Sequence, residues 1–335
     1  MNKENQNKRE WQWTGKRIEY NNAWPDCGMW HSDIQIEFVE FDNWLNHQNL
    51  SQIFEVVKLS DTAQQVLYDN AKLNKLFSGI MDIFDELPYR PDEAFDIAWR
   101  SLEIFMNHHR NIAWQADGDR TAPHLIMRTV KDLIMPLANK EKSVEDVFEG
   151  YLCNIPLSVL VFTILRCYII HDLSINTQIK KVSERAEEVL TKDLYDDIKI
   201  QYKLEQDVKP AVDVLRNAAL LLQLILKGRE VTVNKHKYQL GIENRLEFLL
   251  SCVLYTSRCE RFHGDYFSPF KSDRASLDTY AFSYFLLSFC YIYLLALIHR
   301  HCELNGIGEI CALDSILDAA KIMQDRMKPL IAKGK

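Results

Sequence analysis

The chain has 335 residues, 47% hydrophobic and 26% charged, which is enough for one large domain or two smaller ones with a buried core. Its 11 Gly and 9 Pro are too few for a sandwich or barrel of many short strands, so long helices are expected. A net charge of −7 excludes a surface that is basic throughout, and any contact with nucleic acid must therefore be local.

The cysteines and the first residues predict the compartment. None of the 8 cysteines forms a CxxC pair, and most lie in apolar runs, where a thiol packs as a small hydrophobe. Residues 1–14 contain no apolar stretch typical of a secretory signal. We therefore expect reduced thiols and a cytoplasmic location.

The first 50 residues are predicted to form an extension with short strands. Residues 17–20 (RIEY) and 33–41 (DIQIEFVEF) alternate apolar and polar side chains, as a half-buried strand does. The segment between them is rich in turn residues. A small strand pair packed on a helical body is the prediction for this region.

Helical periodicity dominates the rest of the chain. It predicts a helical region over residues 51–175, a helical core over 176–305 and a C-terminal helix within 306–335, about ten helices in all. Gly228 is suited to end a core helix. Alternating apolar residues on both sides of a polar turn at 234–237 predict a β-hairpin at about 229–241. The fold class is an all-α multi-helix bundle with one or two small β-hairpins.

One stretch has two interpretations. Residues 279–298 contain no charge over twenty positions, which is long enough to span a bilayer. Tyr, Ser, Thr and Cys residues are interleaved in it and charged segments flank it, which favours a core helix that is buried all round. Asp273 or Ser276 is predicted to cap this helix.

A candidate catalytic motif lies in residues 254–265 (LYTSRCERFHGD), where four residues separate Arg258 from His263. The spacing alone is weak, because Arg166–His171 and Arg229–His236 are similar pairs. Apolar neighbours make Arg166 a paired core arginine instead. Arg229 and His236 flank the predicted hairpin. Arg258 and His263 differ from these two pairs in their context. They lie near a predicted helix end that is closed by Gly and followed by the apolar helix.

The pattern LY-x-x-RC-x-x-FHG, continued by the apolar helix, resembles the HEPN superfamily (higher eukaryotes and prokaryotes nucleotide-binding domain) over about residues 180–301. The resemblance implies a helical bundle, a homodimer and a metal-independent endoribonuclease. Arg258 and His263 match the motif Arg and His of the family. The next position is a polar Asn, Asp or His in many active members, and here it is Cys259.

The chemistry that the resemblance implies is physically coherent. A His near neutral pKa can take or give the proton of the ribose 2′-OH, and a guanidinium can stabilise the charged phosphorane. On one continuous helix, residues five apart are separated by about 140° and about 7.5 Å of rise. One pair therefore converges poorly on a phosphate, and two pairs across a twofold axis would converge better.

The remaining candidates surround this motif. Tyr255, Cys259, Glu260 and Arg261 are predicted supporting residues, and Lys271 and Arg274 are predicted RNA-phosphate contacts. No cofactor is expected. No metal is expected either, because His299, His301, Cys302 and Cys311 lack the ligand spacing of a zinc site.

The predicted partners are RNA, a second copy of the chain and an antitoxin or defence-system protein. The implied role is toxin–antitoxin or antiviral defence, without a membrane. Two alternatives stay open: a catalytically inactive HEPN module that binds a nucleotide or a partner protein, and a membrane-disrupting effector that uses residues 279–298. Without the resemblance, Arg258 and His263 would be read as cations that favour a helix C-terminus.

Overall fold

The computed structural model describes residues 36–113, 122–169, 177–204, 210–262, 270 and 276–333. Within these ranges the chain forms thirteen helices and one two-stranded antiparallel sheet. The predicted all-α fold with a small hairpin is confirmed.

The first seven helices bring the chain to residue 168. They are α1 (Ile36–His47), α2 (Ala63–Asp69), α3 (Ala71–Asp85), α4 (Pro91–Ala113), α5 (Ala122–Thr129, a π-helical segment Val130–Ile134, then Met135–Lys140), α6 (Lys142–Cys153) and α7 (Leu157–Tyr168). Pro136 follows the π-helical segment, and the helix continues past it.

The second half holds the hairpin and six further helices. They are α8 (Thr177–Leu190), α9 (Lys192–Tyr202), α10 (Val212–Leu226), β1 (Val231–Val233), β2 (His236–Tyr238), α11 (Ile242–Phe248, a π-helical segment Leu249–Leu254, then Tyr255–Phe262), α12 (Leu277–Leu304) and α13 (Leu313–Lys333).

Helix α12 is the centre of the fold. It packs along α4 and α13, and also contacts α1 and the π-helical segment of α5. By length and composition α12 is able to cross a membrane, but 94% of its most apolar window is buried by the rest of the chain. Ser276 and Thr279 form a capping box at its first turn. In this structure α12 is therefore a core helix.

The prediction of a strand over residues 33–41 is wrong where the structure describes it, because α1 begins at Ile36. The alternation that suggests a strand ends at Phe41, and the next apolar residues, Trp44 and Leu45, follow at helical spacing. Phe41 is buried, and its ring stacks on Tyr280 of α12 with 3.8 Å between centroids. Residues 17–20, the other predicted strand, lie outside the described residues.

The predicted hairpin is confirmed, with Val231 paired to Tyr238 and Val233 to His236. Asp197 of α9 anchors it, accepting hydrogen bonds from Tyr238 Oη at 2.6 Å and Asn234 Nδ2 at 2.9 Å. These two bonds and the contact with His236 hold the pKa of Asp197 at about 2.

One continuous core joins the helices. Buried apolar residues from Phe41 to Ile331 belong to a single cluster. Helices α4 and α12 lie on opposite sides of the predicted boundary near residue 175, and they pack directly on each other. The two helical regions that the sequence analysis places on either side of residue 175 therefore share one apolar interior.

Candidate functional site

The end of α11 lies against the amino-terminal half of α4. Tyr255 and Trp99 are in ring contact, with 6.0 Å between centroids. One turn later Arg258 meets Glu103, and the next turn brings Arg261 to Asp96. Residues three and four apart share a helix face, so the sequence spacing accounts for this row of contacts.

Arg258 is held by Glu103, and Glu103 is in turn held by Trp99. Its Nη2 donates to Glu103 Oε2 at 3.1 Å, and Trp99 Nε1 donates to the other carboxylate oxygen at 3.0 Å. The Arg258 side chain is 20% exposed. Glu103 therefore positions a guanidinium that solvent still reaches.

Arg261 is bound more completely than Arg258. It donates to both carboxylate oxygens of Asp96 at 2.7–3.1 Å and to Asp92 at 3.1 Å, and its side chain is 13% exposed. Asp92 also accepts two hydrogen bonds from Arg90. Burial raises the pKa of Asp96, although Arg261 opposes that rise. Arg261 is therefore part of a buried ion network that joins α11 to α4.

Glu260 points to another helix. It forms an ion pair with Arg166 of α7, whose Nη2 lies 3.0 Å from Glu260 Oε2. The Arg166 guanidinium also lies 5.3 Å from the Phe162 ring centroid. Arg166 is thus paired, as its apolar context predicts, although 31% of its side chain is exposed. His171 lies outside the described residues.

Tyr255 and Cys259 face the interior of the bundle. Burial, with Cys259 alongside, raises the pKa of Tyr255 to about 12, so its hydroxyl stays protonated at neutral pH. The Arg185 guanidinium lies 5.1 Å from the centre of its ring. Cys259 is buried.

The structure brings together only part of the predicted site. Arg258 and Tyr255 meet Glu103 and Trp99, while Glu260 and Arg261 reach Arg166 and the two aspartates of α4. His263, Lys271 and Arg274 lie outside the described residues. The carboxylate partners Asp92, Asp96 and Glu103 were not predicted, because no local pattern connects residues more than 150 positions apart.

A cavity of about 330 Å³ adjoins this site, and sequence reasoning missed it too. Its described walls come from α4, α7, α11 and α12, and they include Ser257, Glu260 and Arg261. Arg258 and Tyr255 are not among those wall residues. The last turns of α11 therefore present a cavity on one side and Arg258 on another.

The predicted absence of a zinc site concerns His299, His301, Cys302 and Cys311, which lie at the end of α12 and just before α13. No group of three or more His, Cys, Asp or Glu side chains in the described ranges is placed to hold a metal ion. His301 is buried and lies beside His109, and burial, with the neighbouring histidines, lowers its pKa to about 4. Burial raises the pKa of Cys302 to about 11 and that of Cys311 to about 12, so both remain thiols.

Comparison with protein-family models, with curated proteins and with solved structures gives no match to this chain. The resemblance to the HEPN superfamily thus rests on residues 254–264 and the helix that follows them.

Proposed function

We propose that the chain is a metal-independent endoribonuclease of HEPN type, with Arg258 and His263 as its catalytic residues. The observation that supports this most directly is the orientation of Arg258. Glu103 holds it, Trp99 holds Glu103, and the guanidinium remains partly exposed at the end of α11. A cation fixed by a second layer of contacts is preorganised to stabilise a developing charge.

The proposed reaction uses only groups of the RNA and the protein. His263 takes the proton of a ribose 2′-OH, whose oxygen attacks the adjacent phosphorus. The bond from phosphorus to the 5′-oxygen breaks, and that oxygen takes up the proton that protonated His263 gives back. Arg258 stabilises the charged phosphorane between these two steps. The products are a 2′,3′-cyclic phosphate and a 5′-OH.

A homodimer belongs to the proposal. Arg258 and His263 are five residues apart along the chain, so a single copy presents one pair to the phosphate. Two copies related by a twofold axis would supply two arginines and two histidines to one cleft. By its resemblance, the proposed role is cytoplasmic toxin–antitoxin or antiviral defence, with an antitoxin or a defence-system protein as partner.

The test is RNA cleavage by the purified wild type, Arg258→Ala and His263→Ala with EDTA present, with the product ends identified. Arg216→Ala is a matched control, because Arg216 is an exposed arginine on α10. We expect cyclic-phosphate ends from the wild type and the control only. Cleavage by all four proteins would show that these residues do not carry the activity.

A second candidate is a catalytically inactive HEPN module that binds a nucleotide or a partner protein. The ion pair with Glu103 supports it, because a carboxylate already balances the charge of Arg258. Folded wild type that binds RNA or a nucleotide but leaves RNA intact, alone and with its partner, would favour this candidate.

A further inference from the structure

A buried carboxylate without a positive partner lies in the first part of α11. Glu247 is only 8% exposed. Among the described residues, no side chain forms a hydrogen bond or an ion pair with its carboxylate. The nearest arginine along the helix, Arg245, is already paired with Glu149 of α6, at 2.7 Å. Burial of an acidic group costs free energy unless a partner or a proton balances its charge.

Two further carboxylates lie near Glu247. Glu243 is one turn earlier on α11, and Glu188 is on α8, which packs on α11. Asn244 donates to the Val189 carbonyl at 3.4 Å, and this bond joins the two helices directly beside Glu243 and Glu188. Glu188, Glu243 and Glu247 therefore form one acidic cluster on two helices.

The acidic cluster is not balanced in charge. Glu188 lies in the last turn of α8, where the helix dipole disfavours a negative charge. Burial, with Glu243 and Glu188 alongside, raises the pKa of Glu247 to about 7, although Lys131 opposes the rise. Glu247 thus carries a proton in about half of the molecules at neutral pH. That proton occupies a position that a larger cation can take.

The other groups near Glu247 do not supply this cation. Lys131, on the π-helical segment of α5, is exposed and forms no ion pair with the acidic cluster in the part of the chain that the structure describes. Tyr293 of α12 is buried, and its Oη lies 2.7 Å from Thr129 Oγ1. Burial raises the pKa of Tyr293, so this hydroxyl stays protonated. A cationic ligand would therefore meet three carboxylates and one exposed lysine.

The chemistry of the acidic cluster favours an organic cation. Within the described ranges, no group of three or more His, Cys, Asp or Glu side chains is placed to hold a metal ion. A guanidinium spreads five N–H donors over a plane and can bind more than one carboxylate at once. It is also more weakly hydrated than an ammonium, so it loses less hydration free energy beside the buried Glu247.

We propose that the acidic cluster binds a guanidinium group, which replaces the proton on Glu247. The guanidinium donates N–H groups to the carboxylates and keeps its charge, and the proton of Glu247 passes to the solvent. The group can belong to free arginine or to an arginine side chain of a protein. This inference goes beyond the proposed ribonuclease activity and does not require it.

Titration of the full chain with N-acetyl-L-arginine amide (the capped arginine) at low salt tests the proposal, by ligand-observed NMR and calorimetry. N-acetyl-L-citrulline amide has nearly the same shape without the charge. It should bind at least about tenfold more weakly, because charged hydrogen bonds are the stronger ones. Equal binding of the two compounds would overturn the proposal. So would the absence of binding by the capped arginine.

The exchange of a proton for the guanidinium gives a second signature. Arginine keeps its charge at every pH used, so a pH dependence comes from the protein. The ionised fraction of Glu247 rises about tenfold from pH 6 to pH 8, and the affinity for the capped arginine should rise with it. Calorimetry in two buffers of different ionisation enthalpy should show release of about half a proton per ligand at pH 7. A constant affinity over this range would refute the exchange.

Glu247→Gln keeps the shape of the side chain and removes its charge. Because it removes a buried ionisable group, it should fold at least as well as the wild type. Binding of the capped arginine at pH 8 should weaken at least about tenfold and lose its pH dependence. Glu141→Gln is the matched control, because Glu141 is an exposed glutamate before α6. Unchanged binding in Glu247→Gln, or an equal loss in both variants, would contradict the assignment.

Lys131→Gln tests whether this lysine itself occupies the acidic cluster. If the cluster is open to a ligand, Lys131→Gln binds the capped arginine at least as tightly as the wild type does. Binding by Lys131→Gln and not by the wild type would mean that Lys131 fills the site, and the proposal would then be wrong.

Free L-arginine distinguishes the two sources of the guanidinium. If the ligand is an arginine side chain of a protein, the capped form binds more tightly, because the carboxylates repel the α-carboxylate of free arginine. If the ligand is free arginine, L-arginine binds more tightly than the capped form. Because these are binding measurements, they remain interpretable if Arg258→Ala and His263→Ala show that the chain is not a ribonuclease.

Discussion

His109 of α4 and His301 of α12 meet inside the bundle, with 3.0 Å between their two Nδ1 atoms. One ring must donate its N–H and the other must accept, so at least one of the two is neutral. His301 is fully buried, and Phe105 packs edge-on against it with 5.7 Å between centroids. This pair joins two of the longest helices.

Acidification should destabilise the fold through these histidines. Burial, with the neighbouring histidines, lowers the pKa of His301 from 6.5 to about 4 and also lowers that of His109. The unfolded chain thus binds protons that the folded chain does not, and stability falls as pH decreases from about 6.5 to about 4. For His301 we expect a loss of about 3 kcal/mol, measured by urea unfolding across this range.

His301→Leu should remove most of this pH dependence, whatever its effect on stability at neutral pH. His47→Gln is the control, because His47 is exposed on α1. Lys72, Arg128 and Asp132 are the charged groups that act on the histidines of α4 beside His301. They stay in place in both variants. A wild-type slope retained by His301→Leu would assign the acid sensitivity to other groups.

Arg261→Met should destabilise the protein by about 3 kcal/mol, because it leaves the buried carboxylates of Asp96 and Asp92 without this partner. Arg261→Met with Asp96→Asn should recover part of that loss, since one uncompensated charge is gone. The measurement is the free energy of unfolding in urea. Exposed Arg216→Met should change it by less than about 0.5 kcal/mol. An equal loss of stability in Arg261→Met and Arg216→Met would contradict the buried network.

Glu103→Gln should lower kcat of RNA cleavage about tenfold with little change in KM, if Glu103 positions Arg258. The amide oxygen still accepts from Trp99, but the charge that holds the guanidinium is lost. Steady-state kinetics on a defined RNA measure both constants. Glu93→Gln is a control at a carboxylate that pairs with Arg90. Unchanged kcat in Glu103→Gln would mean that Arg258 needs no positioning by this residue.

Gly228→Ala should destabilise the fold by about 1–3 kcal/mol. Gly228 has φ +69°, and an added Cβ would lie 3.0 Å from the Arg245 guanidinium, which is paired with Glu149. Gly241→Ala is the control at the other end of the hairpin, where an added Cβ meets nothing within 4 Å. Thermal unfolding compares the two. A similar melting temperature for both variants would contradict the argument.

Local signals predicted much of the fold. Gly228 indicates the end of α10, the alternation around residues 234–237 indicates the hairpin, and the capping residue Ser276 indicates the start of α12. The strand prediction for residues 33–41 failed because its window ended before Trp44 and Leu45. The two π-helical segments have no sequence signal, because they depend on a shift of backbone hydrogen bonds and not on side-chain pattern.

The candidate site was predictable only in part. The sequence singles out Arg258 and its neighbours, since they lie in one short segment. It does not show that Arg258 meets Glu103 whereas Arg261 meets Asp96, because both pairings depend on how α4 and α11 cross. The cavity could not be predicted for the same reason. Its walls come from different helices, and no single helix contributes more than one of them.

The placement of α12 has a consequence during protein synthesis. The ribosome completes α4 before α12, and it completes α13 after α12. One side of the long apolar helix α12 therefore stays uncovered until the last residues emerge. A chain terminated before Leu313 would expose that side permanently. Such a truncated product should aggregate or bind hydrophobic surfaces, and the C-terminal helix therefore determines whether the nascent chain stays in solution.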